Sequence, residues 1–129
     1  MQPASQNSLQ QPPSNLGRLG ESYAVSYLSR HHFVILARNF RAGHGEIDIV
    51  ANDHDTLVFV EVKTRSTLSF GSPQSAVTPM KLREIIKTAQ YYMLTHPGKP
   101  MQVRIDVIAI LVDADTGSVR SLEHIPNVS

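Results

Sequence analysis

Two strands around a polar turn are encoded by residues 45–64, which read GEIDIVANDHDTLVFVEVKT. Both halves are rich in β-branched and apolar residues, and the intervening Asn52-Asp53-His54-Asp55 has the composition of a tight turn. Side chains alternate between the two faces of a strand, so Glu61 and Lys63 share one face and the valines around them point to the other. The segment therefore predicts a β-hairpin whose second strand carries charge on one face.

The register of this hairpin decides whether a further acid joins that face. A two-residue loop at Asp53-His54 would place Asp48 opposite Phe59, on the face of the two charged residues, while Ile47 and Ile49 would join the valines. The two carboxylates would then be diagonal neighbours, with Cα atoms roughly 7–8 Å apart. A slip of one residue would separate the charges and bury some of them, so the apolar pattern favours this register.

Asp48, Glu61 and Lys63 together have the chemistry of a phosphodiester-hydrolysing site. Two carboxylates can hold one Mg²⁺ or Mn²⁺ ion, and a bound cation activates water and stabilises charge on a phosphoryl oxygen. A neighbouring lysine can orient or deprotonate that water, or stabilise the charged phosphorus centre. The competing interpretation is an ordinary solvated strand face. The flanking valines indicate a central strand instead, where exposed charge is unusual.

The rest of the chain predicts two helices and three further strands. The expected helices span 17–32 and the segment from Thr78-Pro79 to His96, and the expected strands span 33–37, 102–112 and 118–124. Residues 39–43 are expected to form a connection. The resulting order is α-β-β-β-α-β-β, an α/β (α+β) fold with a mixed central sheet flanked by helices. Residues 1–16 are rich in Gln, Ser, Pro and Asn, and we expect a disordered tail before one domain over 17–125.

Composition excludes several classes of function. The 129 residues suit a single domain, and the absence of cysteine excludes disulfide scaffolds, thiolate metal sites and cysteine nucleophiles. No apolar run reaches the roughly 18 residues of a membrane span, and we expect a cytoplasmic protein. The net charge of +1 is too small for a strong nonspecific nucleic-acid binder, so such a partner would have to meet a local patch or a bound metal ion.

Asp48 followed by Glu61-Val62-Lys63 resembles the PD-(D/E)xK signature of restriction-endonuclease-like nucleases, with Ile47 where the signature has proline. A wider pattern resembles the uncharacterised YraN-like family, which is similar to archaeal Holliday-junction resolvases. It comprises Gly17-Arg18-Leu19-Gly20-Glu21, Arg38-Asn39-Phe40-Arg41, Gly45-Glu46-Ile47-Asp48, Phe59-Val60-Glu61-Val62-Lys63-Thr64-Arg65, Ala76-Val77 with Lys81, and Arg104-Ile105-Asp106-Val107.

The resemblance implies a restriction-endonuclease-like fold in which Asp48 and Glu61 bind the metal, Lys63 is the catalytic lysine and Glu21 is an accessory acid. Glu21 has an equally weighted alternative, because an acid in the first turn of a helix is favoured by the helix dipole. The implied cofactor is Mg²⁺ or Mn²⁺, and the implied setting is DNA repair or recombination.

Further candidates surround these residues. Arg65 and Lys81 could contact phosphates, whereas Arg83 and Lys87 are better explained as a solvated helix face. Glu46 is expected on the face of Asp48, as an added acid or at the rim. The remaining candidates are His44 near the site strand, Asp106 in a structural or rim role, Gln90 as a surface residue, and a polar loop over 65–77 that could close over a substrate or merely connect a strand to a helix.

Three functions compete at this point. The first is a metal-dependent nuclease acting on DNA, with branched DNA as one candidate substrate. The second is a nucleic-acid-binding module of the same fold with little or no catalysis. The third is an interaction protein whose acidic cluster is incidental, an arrangement that should be energetically costly on a central strand. A junction-cutting enzyme would need two sites, so the sequence leaves a homodimer open.

Overall fold

The computed structural model describes residues 12–43, 45–68, 77–98, 100 and 102–128, with only the backbone described at 12–14. Helix α1 spans Pro12–Arg30, and helix α2 spans Pro79–Thr95. The strands are β1 Val34–Ala42, β2 Gly45–Asp53, β3 Thr56–Ser66, β4 Gln102–Val112 and β5 Val119–Ile125. The order α-β-β-β-α-β-β is the predicted one, and the architecture agrees with a restriction-endonuclease-like α+β fold.

The five strands form one mixed sheet in the order β1-β2-β3-β4-β5, so β3 is central as predicted. Strands β3 and β4 are parallel, and the other neighbouring pairs are antiparallel. A parallel pair requires a crossover connection, which α2 provides here. This helix begins as the sequence predicts: the Thr78 side chain accepts a hydrogen bond from the Lys81 amide at 3.1 Å, and Pro79 occupies the first turn.

Each face of the sheet is covered by one helix. Ala24 and Leu28, four residues apart on α1, are fully buried against one face, and Ile85 and Ala89 of α2 are buried against the other. The α1-side cluster contains Ile49, Ala51, Val58, Val60, Ile108, Ile110 and Val112 from the strands. The α2-side cluster contains Ile47, Val50, Leu57, Phe59 and Ile105. Alternation along β3 therefore divides one sheet between two cores.

The predicted hairpin register is wrong by two residues. Asp53 pairs with Thr56, so the turn residues are His54 and Asp55, and His54 adopts the left-handed conformation with φ 58°. Val50 is consequently the residue opposite Phe59, where Asp48 was expected. Because side chains repeat every two residues along a strand, the two-residue error in register does not by itself move a side chain to the other face.

Ile47 departs from its predicted face. Ile47 pairs with Phe40 of β1, and both pack in the α2-side cluster, whereas Ile49 packs in the α1-side cluster. The alternation breaks beside Asn39, which lies inside β1 with φ 53°. A left-handed residue rotates the strand that follows it, so the pattern of β2 alone could not predict this change of face.

Two element boundaries also differ from expectation. Helix α1 begins at Pro12, five residues before the predicted start at Gly17, and residues 1–11 of the predicted tail lie outside the described residues. Strand β1 runs to Ala42, through the segment expected to be a connection. The longer strand keeps pairing with β2 as far as Gly45, and this pairing supplies the hydrogen bonds that favour the extended conformation.

Candidate active site

The candidate site lies where β2 and β3 separate. The two strands pair up to Ile49 and Val60, and the next described residue on each strand is an acid, Asp48 and Glu61. The Val62 amide donates a hydrogen bond to Asp48 Oδ2 at 2.7 Å. The carboxylate thus accepts the hydrogen bond that a backbone carbonyl would accept if the pairing of β2 and β3 continued. This bond holds Asp48 at the opening between the strands.

The carboxyl groups of Asp48 and Glu61 are close enough for the protonated form of one to hydrogen-bond to the other. Burial and the negative charge of Glu61 raise the pKa of Asp48 to about 7. Burial raises the pKa of Glu61 too, against the opposing effect of Lys81 and Lys63, and the Glu61 side chain is only 12% exposed. Burial disfavours the ionised form of both acids, and the negative charge of Glu61 further disfavours that of Asp48, so the site favours added positive charge.

Two lysines partly meet that demand. Lys81, in the first turn of α2, places Nζ 3.8 Å from Glu61 Oε2. Lys63 follows Glu61 on the same face of β3, and its charge lowers the pKa of that carboxyl. Lys81, predicted to contact phosphates, is therefore seen in an ion pair with a predicted metal ligand. The pair is held by α2, whose N-terminal turn lies over this end of the sheet.

Glu21 approaches the same acids from α1. The negative charge of Asp48 contributes to a raised pKa of Glu21, after burial, while a hydrogen bond from the Asn39 side chain has the opposite effect. Because α1 begins at Pro12, Glu21 is not in the first turn, and the helix-dipole explanation of this residue is wrong. Its position depends on Gly20, since a Cβ there would collide with the side chain of Thr64 on β3.

Glu46 lies at the edge of this group. Its side chain is half-buried and lies 3.7 Å from Nε of the exposed Arg41. The negative charge of Glu46 contributes to the raised pKa values of Glu21, Asp48 and Glu61. Four acids from α1, β2 and β3 thus lie within electrostatic reach of one another, and Glu46 is the one paired with a surface cation.

The remaining candidates have other environments. Arg65 is half-buried near the end of β3 and has interactions of its own. Arg83, Lys87 and Gln90 are exposed on α2, as expected for a solvated helix face. His44 and residues 69–76 of the polar loop lie outside the described residues.

Asp106 is structural, one of the two roles expected for it. It is fully buried in the α1-side layer, where it receives hydrogen bonds from Arg104 at 2.9 Å and from the Asn127 amide at 2.9 Å. His124 Nε2 lies 2.8 Å from its other oxygen, and Tyr27 contacts the opposite nitrogen of that ring. This network joins α1, β4 and β5 on the face of the sheet that α1 covers.

Two kinds of sequence comparison bear on the family of this chain. The model of UPF0102, an uncharacterised protein family, matches residues 20–110, which is more than half of the chain. The chain belongs to this family. A UPF0102 protein of Geobacter metallireducens is 50% identical over 113 residues, covering 88% of this chain and 90% of the relative. A UPF0102 protein of Chlorobium limicola is 49% identical over 115 residues, covering 87% and 89%.

More divergent members match along a similar length. The UPF0102 protein of Dictyoglomus turgidum is 39% identical over 112 residues, which is 87% of this chain and 94% of the relative. The UPF0102 match confirms the predicted resemblance to the YraN-like family. The matched range, residues 20–110, includes Glu21, Asp48, Glu61 and Lys63.

The donors of this UPF0102 chain fit a hard divalent cation. Within the described residues, no three His, Asp or Glu side chains form a group already arranged to hold a metal ion. Mg²⁺ does not require such a group, because it keeps several waters and binds through one or two carboxylates plus substrate phosphate. Asp48 and Glu61 provide two neighbouring and largely buried carboxyls of this kind.

Sequence reasoning missed two contributions to the site. Asn39 was placed in a connection, although it lies in β1 and hydrogen-bonds to Glu21. The ion pair between Lys81 and Glu61 was missed as well, because the two residues are 20 positions apart and meet only when α2 packs on the sheet. The one signal for Asn39 was its residue type, since asparagine tolerates the left-handed conformation better than most residues do.

Proposed function

We propose that this UPF0102 protein is a Mg²⁺-dependent nuclease that hydrolyses phosphodiester bonds of DNA, with branched DNA as the leading substrate. The observation that carries the proposal is the contact between the carboxyls of Asp48 and Glu61 where β2 and β3 separate, with Lys63 on the same strand face. A partly buried pair of acids has little use in an inert fold, since burying charge is costly. Two carboxylates that bind the same cation must lie close to each other.

Each residue has a defined part in the proposed reaction. Asp48 and Glu61 bind the cation, and the amide of Val62 fixes the orientation of Asp48 through its 2.7 Å hydrogen bond. When bound, the cation supplies an activated water and stabilises charge on the phosphoryl oxygen. Lys63 donates hydrogen bonds from Nζ to the attacking water or to the charged phosphoryl group. Glu21 adds negative charge beside Asp48.

Lys81 has a second part to play in this proposal. In the structure it neutralises Glu61, and a bound cation would reduce the need for that pairing. The ammonium group would then be available to a substrate phosphate at the same end of the sheet. Lys81 therefore serves as a phosphate contact in the loaded site. Arg65 remains the other proposed phosphate contact.

The test is a cleavage assay with the purified full-length chain. The substrates are end-labelled junction, flap, single-stranded and linear DNA, together with RNA, each with Mg²⁺ or Mn²⁺. Cleavage should disappear in Asp48→Ala and Lys63→Ala. It should persist in the matched controls Asp115→Ala and Lys87→Ala, because both control residues are exposed. Cleavage that survives both site substitutions in folded protein would refute the nuclease assignment.

The alternative is a nucleic-acid-binding module with the same fold and little catalysis. Two observations favour it: the described residues hold no ready group of three metal ligands, and Lys81 already neutralises Glu61. Such a module would bind the same DNA panel with an affinity that falls steeply with salt, through release of counterions. Salt-sensitive binding without any product, in either metal, would favour this function over the nuclease.

A further inference from the structure

Asn39 has an unusual backbone conformation for a residue inside a strand. Its φ is 53°, and the other described non-glycine residues with positive φ, namely His32, His54 and Asn127, all lie outside the strands. The register shift of β1 lies between Ile35 and Ala37, so Asn39 falls within a run that otherwise pairs regularly with β2. A left-handed non-glycine residue is strained, and strain of this kind concentrates at functional sites.

The conformation by itself has a structural use that glycine would serve better. It turns Phe40 into the α2-side cluster, where its ring lies 5.0 Å from that of Tyr92. Glycine adopts positive φ at no steric cost, whereas asparagine does so only with some strain. What asparagine adds at this position is its side-chain amide.

That amide acts on the Glu21 carboxyl of α1 as a hydrogen-bond partner that lowers its pKa. The register of β1 and β2 places Asn39 across from Asp48, between the pairs Arg38–Ile49 and Phe40–Ile47. Helix α1 can lie close to β3 because Gly20 has no Cβ to meet the Thr64 side chain. The close packing places the Glu21 carboxyl within electrostatic reach of Asp48, and the exposed Arg38 of β1 also acts on it. Gly20 therefore sets the distance of the helix from the sheet, and Asn39 holds the side chain of the next residue, Glu21.

We propose that Asn39 is a positioning residue: its side-chain amide orients the Glu21 carboxylate toward Asp48 and so strengthens binding of the divalent cation. This inference rests on the proposed function, because it assigns a role in the same metal site. Partners that orient the groups around a metal are worth about 10–100-fold in affinity. Glu21 acts beside the two proposed ligands, so we expect an effect of about tenfold, at the lower end.

The test is a calorimetric titration of the full-length chain with Mn²⁺, which needs no knowledge of the nucleic-acid substrate. Asn39→Gly keeps the left-handed conformation and removes the amide, so we expect unchanged or higher stability together with about tenfold weaker Mn²⁺ binding. Asn39→Asp tolerates the same conformation but replaces the donor by a repelling carboxylate, and it should also weaken binding. Asp48→Ala should abolish binding.

A double-mutant cycle separates positioning from a general structural effect. Glu21→Gln should weaken Mn²⁺ binding, and adding Asn39→Gly to it should cause little further loss, because the amide no longer has its carboxylate partner. If wild-type DNA cleavage is established, cleavage by Asn39→Gly should recover at saturating Mn²⁺. A distorted fold would not be rescued by metal in this way.

The outcomes distinguish this inference from the proposed function. Wild-type binding that is lost in Asp48→Ala but unchanged in both Asn39 variants would overturn the role of Asn39 alone. Equal losses from Asn39→Gly in the presence and absence of Glu21 would overturn it as well. Absence of Mn²⁺ binding by the wild type, or binding indifferent to Asp48→Ala, would overturn the proposed function and this inference with it.

Discussion

The carboxyl groups of Asp48 and Glu61 lie within hydrogen-bonding reach of each other at the point where two paired strands separate. The ionised form of each carboxyl is disfavoured there, because burial raises the pKa of both. The fold maintains the arrangement through the Val62 amide and through Lys81. A site that is unfavourable without a cation should reveal itself in stability, apart from any assay of activity.

The first prediction concerns pH. The pKa of Asp48 is raised from 3.8 to about 7, so the folded protein binds its proton more tightly than the unfolded chain does. The stability from this group is complete below pH 4 and is lost as pH rises toward 7. After allowance for partial solvent screening, the loss should be on the order of 2 kcal/mol. Asp48→Asn should remove this loss of stability with rising pH.

Urea unfolding at pH 5 and pH 8 provides the measurement. The unfolding free energy of Asp48→Asn, relative to that of the wild type, should be higher at pH 8 than at pH 5. Comparing the two proteins cancels the contributions of titratable groups that lie away from Asp48, such as Asp106. Saturating Mn²⁺ should stabilise only the wild type at pH 8. A pH-independent difference would contradict the raised pKa of Asp48.

The second prediction concerns Lys81, which should act in opposite directions on metal and on DNA. Its ion pair with Glu61 is 3.8 Å long and the lysine is 36% exposed, so the pair should be worth about 0.2–1 kcal/mol. Lys81→Ala removes a competing cation, and Mn²⁺ affinity should rise roughly two- to fivefold. DNA affinity should fall, and its salt dependence should decrease by about one phosphate contact.

Lys87→Ala is the matched control for this experiment, because Lys87 lies on the same helix and is exposed. It should leave Mn²⁺ affinity unchanged. If Lys81→Ala weakened Mn²⁺ binding, the lysine would be supporting the metal site instead of competing with the cation.

The third prediction concerns the glycines of α1. A Cβ at Gly20 would collide with Thr64, whereas nothing lies within 4 Å of the corresponding position at Gly17. Gly20→Ala should therefore destabilise the fold by about 1–3 kcal/mol through overpacking. Gly17→Ala should be neutral or should stabilise the fold by up to about 1 kcal/mol, because alanine is the better helix former. Chemical denaturation of the two variants measures both effects.

Metal binding sharpens this test. If Gly20 sets the distance between α1 and β3, Gly20→Ala should also weaken Mn²⁺ binding in the folded protein, by moving Glu21 away from Asp48. Gly17→Ala should leave the affinity unchanged. Equal stability of the two alanine variants would show that the helix can shift without loss.

Local patterns predicted the elements well, and they failed where a distant residue intervened. The cap at Thr78, the two faces of β3 and the extent of β4 depend on neighbouring residues, and the structure agrees with them. The hairpin turn was misplaced because Asp53-His54 and His54-Asp55 are both acceptable turn residues. Only the complete pairing with β3 chooses between them.

The candidate site could be predicted only in part for the same reason. Asp48, Glu61 and Lys63 lie on adjacent strands, and the period of two places them on one face even with the register in error. The surroundings of Glu21 required knowledge of how α1 packs, which depends on Gly20 and Thr64. The change of face at Ile47 depends on the backbone of Asn39 in a neighbouring strand. These are tertiary effects, and no local pattern contains them.

The fourth prediction separates the stability of the fold from the site. Asp106 is fully buried and is bonded to Arg104, His124 and the Asn127 amide. Hydrogen bonds from His124 and Arg104 hold the pKa of Asp106 below its usual value, although burial opposes them. Asp106→Ala would leave buried partners without their acceptor, so we expect a loss of about 3–5 kcal/mol in unfolding free energy.

Two comparisons complete this prediction. Arg120→Ala breaks the ion pair with Asp113, in which the arginine is 58% exposed, and it should cost less than about 1 kcal/mol. Asp106 lies in the α1-side layer with Ile108, whereas Lys81 reaches Glu61 from α2 on the other face. An Asp106→Asn variant that remains folded should therefore bind Mn²⁺ with wild-type affinity. A weakened affinity in that variant would mean that the buried network of β4 and β5 also positions the acids, and the two faces of the sheet could no longer be treated as independent.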